Sequence, residues 1–162
     1  MNSTDKRRIL EAIVEQIDAE IATMTRIARE AAEAVSHEDN RAEGSKDMRS
    51  TEASYIARGQ AERAMELERS RARLGSLDLK EFNANSSIEA TALVELQHQR
   101  QRSYYFLLPV GGGRRVDYAG TTIHTITPTS PLGSALLGLS VSDEVEVPTP
   151  STPKLYEVMT LV

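Results

Sequence analysis

Carboxylates crowd one short stretch of this sequence. Glu38, Asp39, Glu43, Asp47 and Glu52 lie around Gly44-Ser45, interleaved with Arg41, Lys46 and Arg49. Carboxylate oxygens are ligands for hard divalent cations, and Mg²⁺ is usually held by one or two of them together with water and phosphate oxygens. The spacing of Asp39, Glu43 and Asp47 about Gly44 does not fit a calcium loop, and a charged cluster of this kind is more often a solvated turn. The remaining chemistry-bearing residues narrow the choice. His37, His98 and His124 are scattered and there is no cysteine, which argues against zinc. Gly111-Gly112-Gly113 lacks the Lys-Ser/Thr and the helix of a phosphate loop, so it reads as a turn.

The elements that must position the carboxylates come from the pattern on either side. Leu10, Val14, Ile17, Ile21, Met24, Ala28, Ala31 and Val35 alternate steps of four and three, the seam of a coiled-coil helix. Ile56, Gln60, Arg63, Leu67, Ser70, Leu74 and Leu77 continue the same steps. Pairing Val35 with Ile56, Ala31 with Gln60, and so on to Val14 with Leu77, keeps one midpoint, between Ser45 and Lys46. The spacing therefore predicts an antiparallel hairpin turning at Gly44 and Ser45, a breaker among charges. Near the turn the seam uses alanines, which bury little area and hold the distal half weakly. About 30 residues per strand would reach roughly 45 Å, long enough to reach into a partner.

The chain has 162 residues, a net charge of −5, 27% charged residues and no tryptophan. Bulk nucleic-acid binding needs a basic surface, so a protein partner fits better. No stretch approaches 18 apolar residues and no apolar run follows the basic residues near the N-terminus, which predicts a soluble, cytoplasmic protein without membrane contact. Aromatic residues and all the prolines concentrate after residue 80. The expected domains are thus a hairpin over 1–80 with an acidic tip, a polar linker over 81–87, and a folded domain over 88–162. Ser3 or Thr4 is the expected cap of the first helix, with Asp5 near its positive end.

After the linker the period becomes two. Strands are expected at Ala92–Gln97, Tyr104–Pro109, Val116–Ala119, Thr121–Thr127, Asp143–Val147 and Leu155–Met159. Between them Ser130 caps a short helix that starts with Pro131 and ends at Gly138. The fold class is α+β: an antiparallel coiled-coil hairpin followed by a small antiparallel sheet carrying one helix.

Thr127-Pro128-Thr129-Ser130-Pro131-Leu132-Gly133-Ser134-Ala135-Leu136-Leu137-Gly138, Val141-Ser142-Asp143-Glu144-Val145-Glu146-Val147 and Tyr156-Glu157-Val158 closely resemble the C-terminal signature of the Gre transcript-cleavage factors, a helix of the form SPLGRALLG followed by GDEVEV and YEI. The order of parts, a coiled coil with an acidic tip and then an FKBP-like domain, is similar as well. The sequence departs from the family at Ser134 and Leu139, where basic residues are common, and at Ser142, where glycine is common.

The resemblance implies a monomeric transcription elongation factor that binds RNA polymerase through residues such as Ser130, Pro131, Leu132, Gly133 and Leu136 and inserts its hairpin in the secondary channel. It would contact nascent RNA only indirectly. It would have no cofactor of its own, sharing the Mg²⁺ of the polymerase active site, and would assist the polymerase's RNA cleavage without being an enzyme itself. The family's tip Asp and Glu are sought here in Asp47 and Glu52 as metal-facing carboxylates, with Glu43 as a further catalytic candidate. Aligned from Tyr55-Ile56-Ala57, however, the family pair falls on Met48 and Thr51, and Asp47 and Glu52 stand five positions apart rather than three. A channel-occupying regulator without cleavage activity is the alternative, and a coiled-coil adaptor is another. A prolyl isomerase would follow from fold alone, which does not carry function.

Overall fold

The structure, a computed structural model, describes residues 1–39, 47–150 and 152–162. The expected turn at Gly44 and Ser45 lies outside them. Helix α1 runs Ser3–Asp39 and helix α2 runs Asp47–Gly75. The chain divides into two compact units, Val14–Arg73 and Met1–Ile13 with Leu74–Val162. The boundaries expected at 80 and 88 follow the chain order, whereas the first turns of α1 group with the folded domain.

In the unit Val14–Arg73, Arg71 Nε donates to Asp18 Oδ1 at 2.8 Å, which sets the two helices antiparallel with these positions near one level. On α1 the seam is as the spacing requires: Ile17 is fully buried and Ile21, Met24, Ala28 and Ala31 are half-buried. On α2 it differs at two places. Ile56 is 45% exposed and Arg63 faces solvent, while Ala53, Ala57 and Ala64 turn inward beside Gln60, Leu67 and Ser70. Steps of three and four can be ordered in more than one way along a helix, and here the four-residue step falls so that alanines face the partner. Helix axes can then approach, and the bulkier Ile56 and the charged Arg63 stay outside.

The other unit is built on a six-stranded sheet: β1 (Leu93–His98), β2 (Gln101–Leu107), β3 (Arg115–Tyr118), β4 (Thr121–Ile126), β5 (Glu144–Val147) and β6 (Lys154–Leu161), with helix α3 (Pro131–Leu136) between β4 and β5. The strand order is β3-β4-β2-β1-β6-β5. The sheet is mixed, not wholly antiparallel as expected, because β2 and β4 run parallel, with Tyr105 level with His124. The glycine turn explains this. It does not close a β2–β3 hairpin but carries the chain past the position that β4 fills, so β3 lies outermost and β4 returns alongside β2. Val94, Leu96, Leu107, Val158 and Leu161 form a core with Ile88, Ala92 and Leu136 of α3. Leu93, Phe106 and Ile123 alternate to the other face and are equally buried.

The start of α1 is fixed within this unit. The cap is Asn2 rather than Ser3 or Thr4: its Oδ1 accepts from the Asp5 amide at 3.0 Å, and Asp5 Oδ2 accepts from the Asn2 amide at 2.8 Å. This reciprocal box satisfies helix-end donors on both residues. Asp5 Oδ1 also accepts from Tyr118 Oη of β3 at 2.8 Å. That bond, then the Asn2 amide, holds the Asp5 carboxyl below its usual pKa. Lys6 is fully buried. Its Nζ donates to the main-chain oxygens of Lys80 at 2.6 Å and Val162 at 3.1 Å, and lies 4.7 Å from the Phe82 ring centroid.

Candidate functional site

The residues singled out in the sequence fall on both units. Glu43 lies outside the described residues. Asp47 is the first residue of α2, its side chain also outside what is described, and Glu52 is exposed on the second turn of that helix. Because this segment is helical, five positions correspond to about 140° of rotation. Backbone positions 47 and 52 thus lie on different sides of the helix axis. Glu52 lies on one stripe with Tyr55 and Ile56, three and four residues on, and Tyr55 is 72% exposed. Among the described residues no three His, Cys, Asp or Glu side chains converge as a metal would require. The donor chemistry of Glu52 suits Mg²⁺ as one carboxylate ligand, with the rest of the shell coming from elsewhere.

The second group is the turn leading into α3. Ser130 Oγ donates to the Thr127 carbonyl at 2.7 Å and accepts from the Gly133 amide at 3.1 Å, so one hydroxyl closes the turn and caps the helix. Pro131 follows where its missing N–H costs nothing. Gly133 is required by space: a Cβ there would lie 2.0 Å from the Thr127 carbonyl oxygen. Leu136 is fully buried and Leu132 packs half-buried against the core. Gly138, at φ +82°, ends the segment, and its amide donates to the Ile88 carbonyl at 2.9 Å.

Of the five expected docking residues, Gly133 and Leu136 thus face the core, Ser130 and Leu132 are partly covered, and Pro131 is exposed. The outward surface they build also includes Ser134 and Leu137, and Leu137 is 43% exposed. Ser134, singled out in the sequence as a departure from the family, follows Pro131 by three residues and lies on its side of the helix, whereas Leu137, which sequence reasoning passed over, comes just after the helix. Ser142, where the resembling signature has glycine, adopts φ +73°. Its amide donates to the Val158 carbonyl at 2.8 Å, and the neighbouring Ser140 amide donates to Asp143 Oδ2 at 2.7 Å. The position takes the conformation that glycine adopts without cost.

Comparison with known proteins follows this division. Residues 87–161, which contain the whole sheet and α3, match the family described as transcription elongation factor, GreA/GreB, C-term. Among solved structures the chain is similar to Gfh1 of Thermus aquaticus, at 21% identity over 93% of this chain and 94% of that one, with a TM-score of 0.40. It is similar to the GreA factor homolog 1 (Gfh1) of Thermus thermophilus, at 20% identity over 93% and 95%, with a TM-score of 0.39. A prokaryotic transcription elongation factor GreA/GreB from Nitrosomonas europaea is 24% identical over 61% and 78%, with a TM-score of 0.37. No curated protein matches the sequence.

Proposed function

Since residues 87–161 belong to the GreA/GreB C-terminal domain family of transcription elongation factors, we propose that the chain acts on RNA polymerase, docking through the exposed side of α3 and presenting the end of its hairpin to the secondary channel. The observation that carries this reading is the family domain itself, complete from β1 to β6, on a chain whose other part is a pair of long antiparallel helices. In this reading the polymerase performs the hydrolysis of backtracked RNA. Asp47, Glu52 and Glu43 are the candidate tip carboxylates, and they would add ligands to a Mg²⁺ that the polymerase already holds, while Ser130, Pro131 and Leu132 shape the docking turn. The chain supplies no complete metal site of its own.

The separation of Asp47 and Glu52 around α2 favours a second reading of the same docked state. Two carboxylates about 140° apart on a helix cannot both face one ion. The protein then occupies the channel and modulates nucleotide addition with little cleavage. The deciding experiment is a stalled, backtracked elongation complex incubated with the full-length protein and Mg²⁺. Shortened RNA supports the cleavage reading, and slowed nucleotide addition without shortening supports the occupancy reading. Failure of polymerase to co-purify with the protein would overturn both and leave the coiled-coil adaptor.

A further inference from the structure

The carboxylates on the sheet face that turns away from α3 are compensated unequally. Val94, Leu96 and Val158 belong to the core that α3 covers, and Val145 packs against it, so Glu95, Gln97, Glu157 and Glu144 alternate to the opposite face. Glu95 is buried, and its Oε1 accepts from Arg102 Nη1 at 3.2 Å and its Oε2 from Thr160 Oγ1 at 3.4 Å. Arg102 also donates to Gln97 Oε1 at 3.4 Å, so this cation is engaged. Glu144 and Glu157 are placed differently. They stand directly opposite each other on β5 and β6, with Gln97 of β1 level with Glu157. Among the described residues neither side chain has an ion pair, and like charges at directly opposed positions disfavour the pairing of two strands.

Beside this pair opens a hollow of about 180 Å³, lined by Gln97, Gln99, Glu144, Leu155 and Glu157. Its lining joins two carboxylates and two amides to an apolar side chain, Leu155, which is 49% exposed. A metal ion does not use that combination. The space is several times the ~30 Å³ share of one water, and a hard cation seeks oxygen ligands, to which Leu155 adds nothing. A long side chain with an apolar stem and a cationic head uses all of it. Arginine suits it best, because its planar fork donates to more than one carboxylate or amide oxygen at once, while its methylene stem covers apolar surface.

We propose that this hollow accepts an arginine side chain presented by a partner protein, with the guanidinium between Glu144 and Glu157 and the stem against Leu155. A side chain carried on a polypeptide fits better than the free amino acid, whose own carboxylate would meet these two on a chain of net charge −5. Covering the hollow lowers the local dielectric, which strengthens the attraction of the carboxylates for the incoming charge. The inference does not rest on docking through α3, which lies on the other face of the sheet.

Titration of the nitrogen-15-labelled full-length protein with an end-blocked tripeptide, glycine-arginine-glycine, tests this by NMR. Amide shifts should cluster at Gln97, Gln99, Glu144, Leu155 and Glu157, and the affinity should fall as salt is added. The same peptide with citrulline in place of arginine keeps the shape and loses the charge, and it should bind about tenfold more weakly or worse. Glu157→Gln should weaken the arginine peptide by a similar factor. Without peptide, Glu144→Gln should raise the urea midpoint, because it removes the opposed charges. Shifts absent from these amides or spread over other acidic surface would overturn the proposal. So would equal binding of the citrulline or a lysine peptide, displacement of the arginine peptide by Mg²⁺, or a lowered urea midpoint in Glu144→Gln.

Discussion

Single side chains in the sheet unit carry costs that substitution can expose. Ser142 holds φ +73°, and for a residue with a Cβ that conformation costs about 1–2 kcal/mol. Glycine removes the strain but adds freedom to the unfolded chain, worth roughly 0.5–1 kcal/mol. Ser142→Gly should therefore stabilise the protein by up to about 1 kcal/mol, read as a higher urea midpoint with an unchanged slope. Lys6 carries a cost that depends on pH. Burial lowers its pKa from 10.5 to about 8, against an opposing pull from Glu81. Between those values the unfolded chain holds a proton that the folded one has released, so stability rises with pH across the window. The gain is at most about 3 kcal/mol, complete near the unfolded pKa and absent below the folded one. Tyr104 and Tyr105, whose pKa values are raised chiefly by burial, push the other way as pH passes the ordinary tyrosine value. Their contribution cancels when wild type is compared with Lys6→Met. The difference in unfolding free energy between the two proteins should shift in favour of the wild type from pH 7.5 to pH 10, and a flat difference would refute the assignment.

At the scale of elements, the helices were legible because a period near 3.6 repeated for many turns leaves little choice of structure. The order of small steps within the period was less legible. Ile56 and Arg63 satisfy the spacing, but Ala57 and Ala64 satisfy it too once one step moves, and only packing decides between them. The Ser130-Pro131 cap could be read because its signals are local, whereas Asn2 was hidden among Ser3, Thr4 and Asp5, all able to cap. The parallel pairing of β2 with β4 has no local signature, since it depends on where a distant strand inserts. The tip follows the same logic. Its carboxylates could be named from the sequence, and the helical course of Asp47–Gly75 adds only that backbone positions 47 and 52 are about 140° apart around the axis. If one carboxylate serves the cation, Asp47→Ala and Glu52→Ala should not be equivalent: one removes most Mg²⁺-dependent cleavage and the other little. Neither should change polymerase affinity or the helical content, because a single substitution near a helix end contributes little to the fold. Cleavage that survives joint replacement of Glu43, Asp47 and Glu52 would show that the tip works through other residues.

The whole molecule joins a charged hairpin to a sheet domain similar to the C-terminal domain of the GreA/GreB family, and the two parts make separable demands on a partner. The hairpin surface is dominated by charges that pair within a helix, such as Arg58 with Glu62 at 3.0 Å, and exposed pairs of this kind contribute little affinity. Binding energy is more often concentrated in a few apolar anchors surrounded by polar contacts. On the sheet unit Leu137 has that character, 43% exposed just after a helix pinned by Ser130, Gly133 and the buried Leu136. Leu137→Gln should weaken polymerase binding by about tenfold or more, with thermal stability almost unchanged because the side chain is already in water. The same variant separates the functional readings at this scale. If α3 docks the protein, Leu137→Gln lowers affinity and every downstream effect in proportion, whereas the tip variants leave affinity alone. If instead the hairpin pairs with another coiled coil, binding survives Leu137→Gln and is lost when Leu67, an inward seam residue, is replaced by aspartate.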